Sequence, residues 1–222
     1  MTTPAGRPLL LQRWTINDLA RHIVLRPSAS FVAGIAGPPG AGKSTLAEKL
    51  VAILNLRQDT AVAQFCPMDG FHLSESTLRA RGVAAFKGRI DTFDAAGFAA
   101  TLARLKTGER NVWWPVYSRT IHAVVAQGIF IAPQTRIFVT EGNYLLCEDE
   151  PWPQAAALLD VSFYLDADRA LIEPRLLARH IAGGRTRAEA KAKVELTDWP
   201  NAVAIARTRP RANIILAAQQ AG

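Results

Sequence analysis

The chain has 222 residues, of which 49% are hydrophobic and 20% are charged. This balance is typical of a globular protein and excludes an intrinsically disordered chain. The 26 basic and 19 acidic residues give a net charge of +7, which favours anionic partners. A membrane span needs about 20 apolar residues in succession, and no apolar run in the sequence approaches that length.

The first predicted elements alternate between helices and strands. Residues 15–25 place apolar side chains at helical spacing, which predicts an amphipathic N-terminal helix. We predict a buried strand over 30–36, a helix over 43–56 and a second strand over 60–66. The stretch 75–91 has no clear period, and we interpret it as a loop with one short helix.

The middle of the chain predicts a helix and a β-ribbon. Asp94 is predicted to cap a helix that ends at Gly108. The segments 111–117 and 128–132 look extended, and together they indicate a ribbon of two strands.

The last part returns to alternating strands and helices. Three strands are predicted, over 136–142, 160–166 and 213–217. Two helices are predicted, over 168–182 and 186–208. This order predicts an α/β fold in three layers, with a mainly parallel five-stranded sheet. We interpret the whole chain, 1–222, as a single domain.

The cysteines and the N-terminal residues bear on location. Cys66 and Cys147 lie far apart, and we expect both to be reduced and buried. The first residues lack the apolar segment that a secretion signal needs. We therefore expect a cytoplasmic protein.

The segment IAGPPGAGKST, residues 35–45, contains the pattern Gly-x-x-x-x-Gly-Lys-Ser of phosphate-binding loops. It lies between a predicted strand and a predicted helix, where backbone N–H groups can hold phosphates. Lys43 is predicted to reach the outer two phosphates, and Ser44 to bind Mg²⁺. The predicted nucleotide-binding residues here are Gly37, Pro38, Pro39, Gly40, Ala41, Gly42, Lys43, Ser44 and Thr45.

Two acidic residues stand where predicted strands end, Asp69 in CPMDGFHL and Glu141 in VTEGNYLL. Ligand sites in parallel sheets lie at the carboxyl ends of the strands. Asp69 is therefore expected beside the terminal phosphate, where it can accept the proton of an attacking hydroxyl. Glu141 is expected to orient a water on Mg²⁺ or a substrate hydroxyl. With Lys43, these two acids are the catalytic candidates.

The order of the motifs resembles that of the superfamily of uridine kinases, phosphoribulokinases and bacterial pantothenate kinases. The motifs are the phosphate loop, DGFH, DTFD (91–94), PVYSRTIH (115–122) and EGNY, and the resemblance covers about 30–217. MDGFHL and EGNYLL are most similar to a bacterial subgroup of nucleoside or fructose-transport-system kinases, which is fructokinase-like. The resemblance implies a P-loop kinase fold with an acceptor-site insertion over about 70–132 and an Arg-rich helical lid over about 168–190.

The resemblance also implies roles for single residues. Asp69 would be the base, and Arg179 and Arg185 would be lid arginines that close over the phosphates. Arg175 lies one helical turn before Arg179 and would share its face. The acceptor-side candidates are Asp69, His72, Arg89, Tyr117, Arg119 and His122.

This chain departs from the uridine kinase pattern on the acceptor side. Uridine kinases carry an aspartate shortly before DTFD that holds the ribose, whereas this chain has FKGRI at 86–90. Ser118 also stands where an aspartate is expected. Lys87 and Arg89 favour an acceptor that is anionic or rich in hydroxyls.

Two features near the lid have no role in the motif pattern. His180 is expected at the surface. The segment TDWPN, 197–201, is interpreted as a contact either to the lid or to the adenine.

The leading hypothesis is an ATP-dependent, Mg²⁺-dependent kinase that phosphorylates an alcohol group of a small-molecule acceptor, either a sugar or a nucleoside. The alternatives are a regulatory ATPase or GTPase without such an acceptor, and an ATPase stimulated by nucleic acid. The guanine motif Asn-Lys-x-Asp and a nucleic-acid-binding module are both missing from the sequence. Neither nucleic acid nor a membrane is an expected partner. The sequence is compatible with a homodimer and does not assign the oligomeric state.

Overall fold

The computed structural model describes residues 11–12, 14–26, 28–56 and 61–218. The strands are β1 (Leu11–Gln12), β2 (Phe31–Ala36), β3 (Ala63–Pro67), β4 (Val112–Ser118), β5 (Ala123–Ile131), β6 (Ile137–Glu141), β7 (Val161–Asp166) and β8 (Ile214–Ala217). The helices are α1 (Ile16–Val24), α2 (Lys43–Leu56), α3 (Glu75–Ala80), α4 (Ala95–Lys106), α5 (Trp152–Ala156), α6 (Arg169–Ala182), α7 (Arg187–Lys193) and α8 (Trp199–Ala206). A π-helical turn, Val194–Asp198, joins α7 to α8.

A parallel sheet forms the centre of the fold. Five strands lie in the order β8-β7-β2-β6-β3, and the two-residue strand β1 extends the edge beside β8. The strands β4 and β5 pair separately as an antiparallel hairpin. The predicted five-stranded parallel sheet and the β-ribbon are therefore confirmed, and β1 is an addition that the sequence analysis did not predict.

Helices cover both faces of the sheet because alternate side chains of its strands enter two different cores. In β2, Val32 and Ala36 join the core under α4, α5 and α8, whereas Phe31 and Ile35 join the core under α1 and α2. Every residue of β2 is buried, which explains why its sequence is almost wholly apolar. The three-layer arrangement follows from this alternation.

The helices α6 and α7 lie in the region, about 168–190, that the resemblance implies as a lid, and α8 follows it. Asp168 caps the N-terminus of α6, and Pro174 lies inside that helix rather than at its start. Thr186 and Glu189 form a capping box at the start of α7. The predicted helical stretch 186–208 is thus divided into α7, the π-helical turn and α8.

Two global expectations can be compared with this fold. Both cysteines are buried and free, as expected. Within the described ranges, no helix combines the length and the apolar character that crossing a membrane requires.

Candidate functional site

The phosphate loop joins β2 to α2, and its three glycines, Gly37, Gly40 and Gly42, adopt backbone conformations that other residues rarely adopt. The φ angles are 143° at Gly37 and 100° at Gly42. A Cβ atom on Gly37 would lie 2.6 Å from the carbonyl oxygen of Leu165. Because α2 begins at Lys43, its unpaired N-terminal N–H groups lie at the end of the loop, where they can bind an anion.

Lys43 lies inside this loop and is only 6% exposed. Its Nζ donates hydrogen bonds to the carbonyl oxygen of Pro38, at 3.0 Å, and to Oδ1 of Asn143, at 2.6 Å. Burial lowers the pKa of Lys43 to about 8, although the carboxylates of Glu141 and Asp69 act in the opposite direction. Asn143 is a contribution to the site that the sequence analysis missed, and its position within EGNY is the signal that could have revealed it.

Glu141 is the last residue of β6 and is buried beside the loop. Since β6 pairs with both β2 and β3, Glu141 lies opposite Ile35 on one side and Pro67 on the other. Its Oε1 accepts a hydrogen bond of 3.0 Å from the hydroxyl of Ser44. Burial raises the pKa of Glu141 to about 7, against the lowering effect of Lys43.

Ser44 and Glu141 bring together a hydroxyl oxygen and a carboxylate oxygen, which are suitable ligands for Mg²⁺. In the described ranges, no group of three or more His, Cys, Asp or Glu side chains could hold a metal ion. A Mg²⁺ ion at Ser44 would therefore take its remaining ligands from water and phosphate oxygens. The residues present fit that kind of ion.

Asp69 lies in a 3₁₀ turn, Met68–Phe71, directly after β3, and its side chain is 39% exposed. The hairpin of β4 and β5 packs closely on this turn, since a Cβ atom on Gly70 would lie 1.9 Å from the carbonyl oxygen of Pro115. The indole Nε1 of Trp114 also donates to the carbonyl oxygen of Pro67, at 3.0 Å. The hairpin therefore fixes the backbone that carries Asp69.

The same hairpin brings basic and aromatic side chains to Asp69. Nη2 of Arg119 lies 3.9 Å from Oδ2 of Asp69. Nζ of Lys87 lies 4.7 Å above the centre of the Tyr117 ring, and the rings of Tyr117 and His72 are 5.0 Å apart. We call Asp69, His72, Lys87, Tyr117 and Arg119 the acceptor-side cluster.

His72 is fixed within this cluster by a hydrogen bond and by an aromatic contact. Its Nδ1 lies 2.8 Å from the carbonyl oxygen of Asp69, to which it donates a hydrogen bond. Burial lowers the pKa of His72, although Asp69 acts to raise it; Lys87 and Arg119 make smaller contributions that lower it. The ring packs on Phe93 with a centroid distance of 4.0 Å and an interplanar angle of 44°, so it serves as a fixed wall of the cluster.

The helix α6 presents two arginines to the phosphate loop and the acidic residues. Nη1 of Arg175 lies 3.4 Å from the carbonyl oxygen of Gly40 and 3.3 Å from that of Ala41. Desolvation lowers the pKa of Arg179, while Asp198, Asp69 and Glu141 act to raise it, so its guanidinium lies within their field. Arg175 contacts the loop directly, a role that its spacing from Arg179 alone did not assign.

Three predicted site residues lie outside this arrangement and stay predictions. Arg89 forms an ion pair of 2.5 Å with Asp91. His122 is exposed at the tip of the hairpin, with a φ of 52°. Arg185 is exposed beyond the end of α6.

The expectation that His180 lies at the surface is wrong. Its side chain is buried, and its Nε2 lies 2.6 Å from Oδ2 of Asp198. A buried imidazole requires a hydrogen-bond partner, and the turn before α8 supplies one.

The shifted pKa of Glu141 predicts how the stability of the nucleotide-free protein depends on pH. Between its ordinary value of 4.5 and about 7, the folded protein keeps a proton that the unfolded chain releases. Glu141 therefore lowers the free energy of unfolding as pH rises through this window. We expect Glu141→Gln to gain stability relative to the wild type between pH ~5 and pH ~7, as measured by guanidinium unfolding at both values. A difference between the two proteins that does not change with pH would contradict this prediction.

Comparison with known proteins places these features in a family. The chain matches the Phosphoribulokinase / Uridine kinase family over residues 32–220. It is 33% identical to "Uncharacterized protein YggC" of Escherichia coli (strain K12), over 93% of this chain and 86% of that protein. It is 35% identical to "Putative uridine kinase C227.14" of Schizosaccharomyces pombe, over 79% and 76% of the two chains.

A solved structure agrees with these matches. The crystal structure of a "putative fructose transport system kinase" from Silicibacter sp. TM1040 superposes with a TM-score of 0.83 at 33% identity, and the match covers 91% of this chain and 98% of that one. Family and structure together confirm the resemblance found in the sequence. The chain belongs to the phosphoribulokinase/uridine kinase family of P-loop kinases.

Proposed function

We propose that the protein transfers the γ-phosphate of ATP to a hydroxyl group of a small metabolite, and that a sugar is the favoured acceptor. One observation carries the proposal: Lys43, Glu141 and Asp69 come from three different segments and meet at the carboxyl end of the sheet. A protein that only binds a nucleotide has no need of an exposed carboxylate beside a cluster of aromatic and basic side chains. Membership of a kinase family supports the same assignment.

In this proposal the residues divide the work of phosphoryl transfer. The loop N–H groups, Lys43 and Arg179 stabilise negative charge on the phosphates, and bound Mg²⁺ would add further neutralisation there. Asp69 accepts the proton of the acceptor hydroxyl as the phosphoryl group moves. The hairpin holds Asp69 in place, so the chemistry depends on positioning more than on unusual reactivity.

The acceptor-side cluster suits a sugar. The rings of His72 and Tyr117 can pack on the C–H faces of a pyranose or furanose, while Lys87 and Arg119 can donate hydrogen bonds to its hydroxyls. Asp91 is the carboxylate that follows segment 86–90, and Arg89 already holds it in an ion pair. The relative from Silicibacter is named a "putative fructose transport system kinase", which supports a hexose.

A nucleoside is the second candidate, and one observation favours it. The rings of Phe93, His72 and Tyr117 lie in series, with centroids 4.0 and 5.0 Å apart and interplanar angles of 44°, so an aromatic face is available against which a base could pack. The relative from Schizosaccharomyces pombe is named as a putative uridine kinase, in agreement with this option.

A coupled assay of ADP release tests the proposal. The protein is incubated with MgATP and a panel of hexoses, pentoses, nucleosides and pantothenate, and products are identified by mass spectrometry. We expect ADP release that requires an acceptor and is fastest with a hexose such as fructose. A nucleoside as the best acceptor would replace the sugar with the second candidate. ADP release that is unaffected by every acceptor would contradict both and favour a regulatory ATPase.

A further inference from the structure

The segment that joins α7 to α8 contacts both the loop over residues 86–90 and the helix α6. It comprises the end of α7, the π-helical turn and the start of α8, residues 193–201, and we call it the brace. Thr197 and Asp198 are buried within it. A π-helical turn is less favourable than a regular helix and commonly persists where it places particular side chains.

Both ends of the brace bind the backbone of the acceptor loop, residues 86–90. Nζ of Lys193 donates to the carbonyl oxygen of Lys87, at 3.3 Å, and Nδ2 of Asn201 donates to that of Gly88, also at 3.3 Å. The hydroxyl of Tyr144 shares the Gly88 carbonyl at 2.7 Å. These bonds fix the loop that carries the Lys87 side chain over Tyr117.

The other contact of the brace is with the lid helix α6. The two carboxylate oxygens of Asp198 face consecutive residues: Oδ2 accepts from Nε2 of His180 at 2.6 Å, and Oδ1 lies 3.8 Å from Nη2 of Arg179. The bond to His180 is buried, so it anchors Asp198 to the helix. The 3.8 Å contact between Asp198 and Arg179 then restricts where the Arg179 side chain, which is more exposed than that of Asp198, can lie.

We propose that the brace holds the acceptor loop and Arg179 in fixed relative positions, with Asp198 as a positioning residue for Arg179 and Asn201 as a positioning residue for the loop. The inference rests on the proposed function, because it takes Arg179 to contact the phosphates of ATP. Small displacements of such groups reduce the rate of transfer strongly. The brace therefore links the binding of the acceptor to the placement of charge at the phosphates.

Steady-state kinetics with the best acceptor separates the two roles. Asp198→Asn keeps the size of the side chain and removes its charge, and we expect kcat to fall about tenfold with the acceptor KM nearly unchanged. Asn201→Ala should raise the acceptor KM by about fivefold with little change in kcat. The matched control is Glu195→Gln, in the same π-helical turn but paired with Arg169 at 2.5 Å, and it should behave as the wild type. Equal losses in all three variants would indicate a purely structural role and overturn the proposal.

A double-mutant cycle tests whether Asp198 acts through Arg179. Affinity for a non-hydrolysable MgATP analogue is measured in Asp198→Asn, Arg179→Met and the double variant, with thermal unfolding as the check of folding. We expect Asp198→Asn to weaken binding in the wild-type background and to add nothing when Arg179 is already Met. Losses that simply add would overturn the proposal. If Asp198→Asn does not fold, Asn201→Ala decides, since an unchanged acceptor KM would overturn it.

The binding cycle also separates this inference from the proposed function. It requires no acceptor, so it gives a result even if the protein phosphorylates nothing in the panel. Absence of acceptor-dependent ADP release would contradict the proposed function, whereas additive binding losses would contradict the brace.

Discussion

Asp69→Asn is expected to lower kcat by about a thousandfold while changing the affinity for MgATP by less than about threefold. Asparagine has the size of aspartate but cannot accept a proton from the acceptor hydroxyl. In the proposed function the nucleotide is held by the loop, Lys43 and α6, and not by Asp69. The substitution should therefore remove a step of the reaction without removing a binding partner.

Single-turnover kinetics and calorimetric titration with MgATP measure the two effects separately. Asp149→Asn is a matched control, because Asp149 is an exposed carboxylate in the segment after EGNYLL. It should retain the activity of the wild type. An Asp69→Asn protein with more than about a tenth of the wild-type kcat would remove Asp69 as the base. Equal losses of affinity and rate would point to a disturbed turn at Gly70 instead.

Local patterns were enough to predict most of the fold. The strand β2 is apolar throughout because it is buried on both faces, and the phosphate-loop glycines mark its end. The strand β1 could not be predicted, since two residues carry no period and their pairing with β8 depends on a distant segment. The strand β5 begins at Ala123 because it pairs with β4, so only its final part was recognisable as 128–132.

The candidate site was predictable where strand ends alone bring residues together. Lys43, Asp69 and Glu141 each follow or end a strand of the sheet, and parallel pairing places those ends side by side. Asn143 and the contact of Arg175 to the loop were not predicted, because they depend on contacts across 100 and 135 positions of the chain. A sequence pattern contains no direct information on such distances.

His180 shows how a buried polar residue can be mistaken for a surface residue. It stands in an Arg-rich helix just before two glycines, a context typical of an exposed helix end. The π-helical turn covers it and provides Asp198 as a partner, which offsets the cost of burying the imidazole. The same contact places Asp198 beside Arg179, so the error in the sequence analysis marks the segment on which the brace proposal depends.

Burial at the phosphate loop disfavours the charged forms of both Lys43 and Glu141. It lowers the pKa of Lys43 to about 8 and raises the pKa of Glu141 to about 7. Each would be better stabilised with phosphate and a divalent cation nearby, because these supply the opposite charges that the buried groups lack. Binding of MgATP should therefore stabilise the fold as well as start the reaction.

Lys43→Met is expected to weaken MgATP binding by at least about tenfold and to lower kcat by at least about a hundredfold. Methionine keeps the unbranched shape but removes the ammonium group that would contact the outer phosphates. The stability of the nucleotide-free protein should change by less than about 2 kcal/mol, because two effects oppose each other. The carbonyl of Pro38 and the amide of Asn143 lose a donor, but a desolvated charge is also removed.

Loss of Lys43 has a second consequence at Glu141. Lys43 lowers the pKa of Glu141, so its removal should raise that pKa further above about 7 and leave the carboxyl protonated near neutral pH. A protonated carboxyl binds Mg²⁺ poorly, and the kcat of Lys43→Met should therefore increase with pH more steeply than that of the wild type. Lys49→Ala, which removes an exposed lysine from the same helix, should show neither the weaker binding nor the steeper profile. If Lys43→Met bound MgATP as tightly as Lys49→Ala does, the loop would not hold the outer phosphates through Lys43. The assignment of Lys43 to the ATP-binding site would then be wrong.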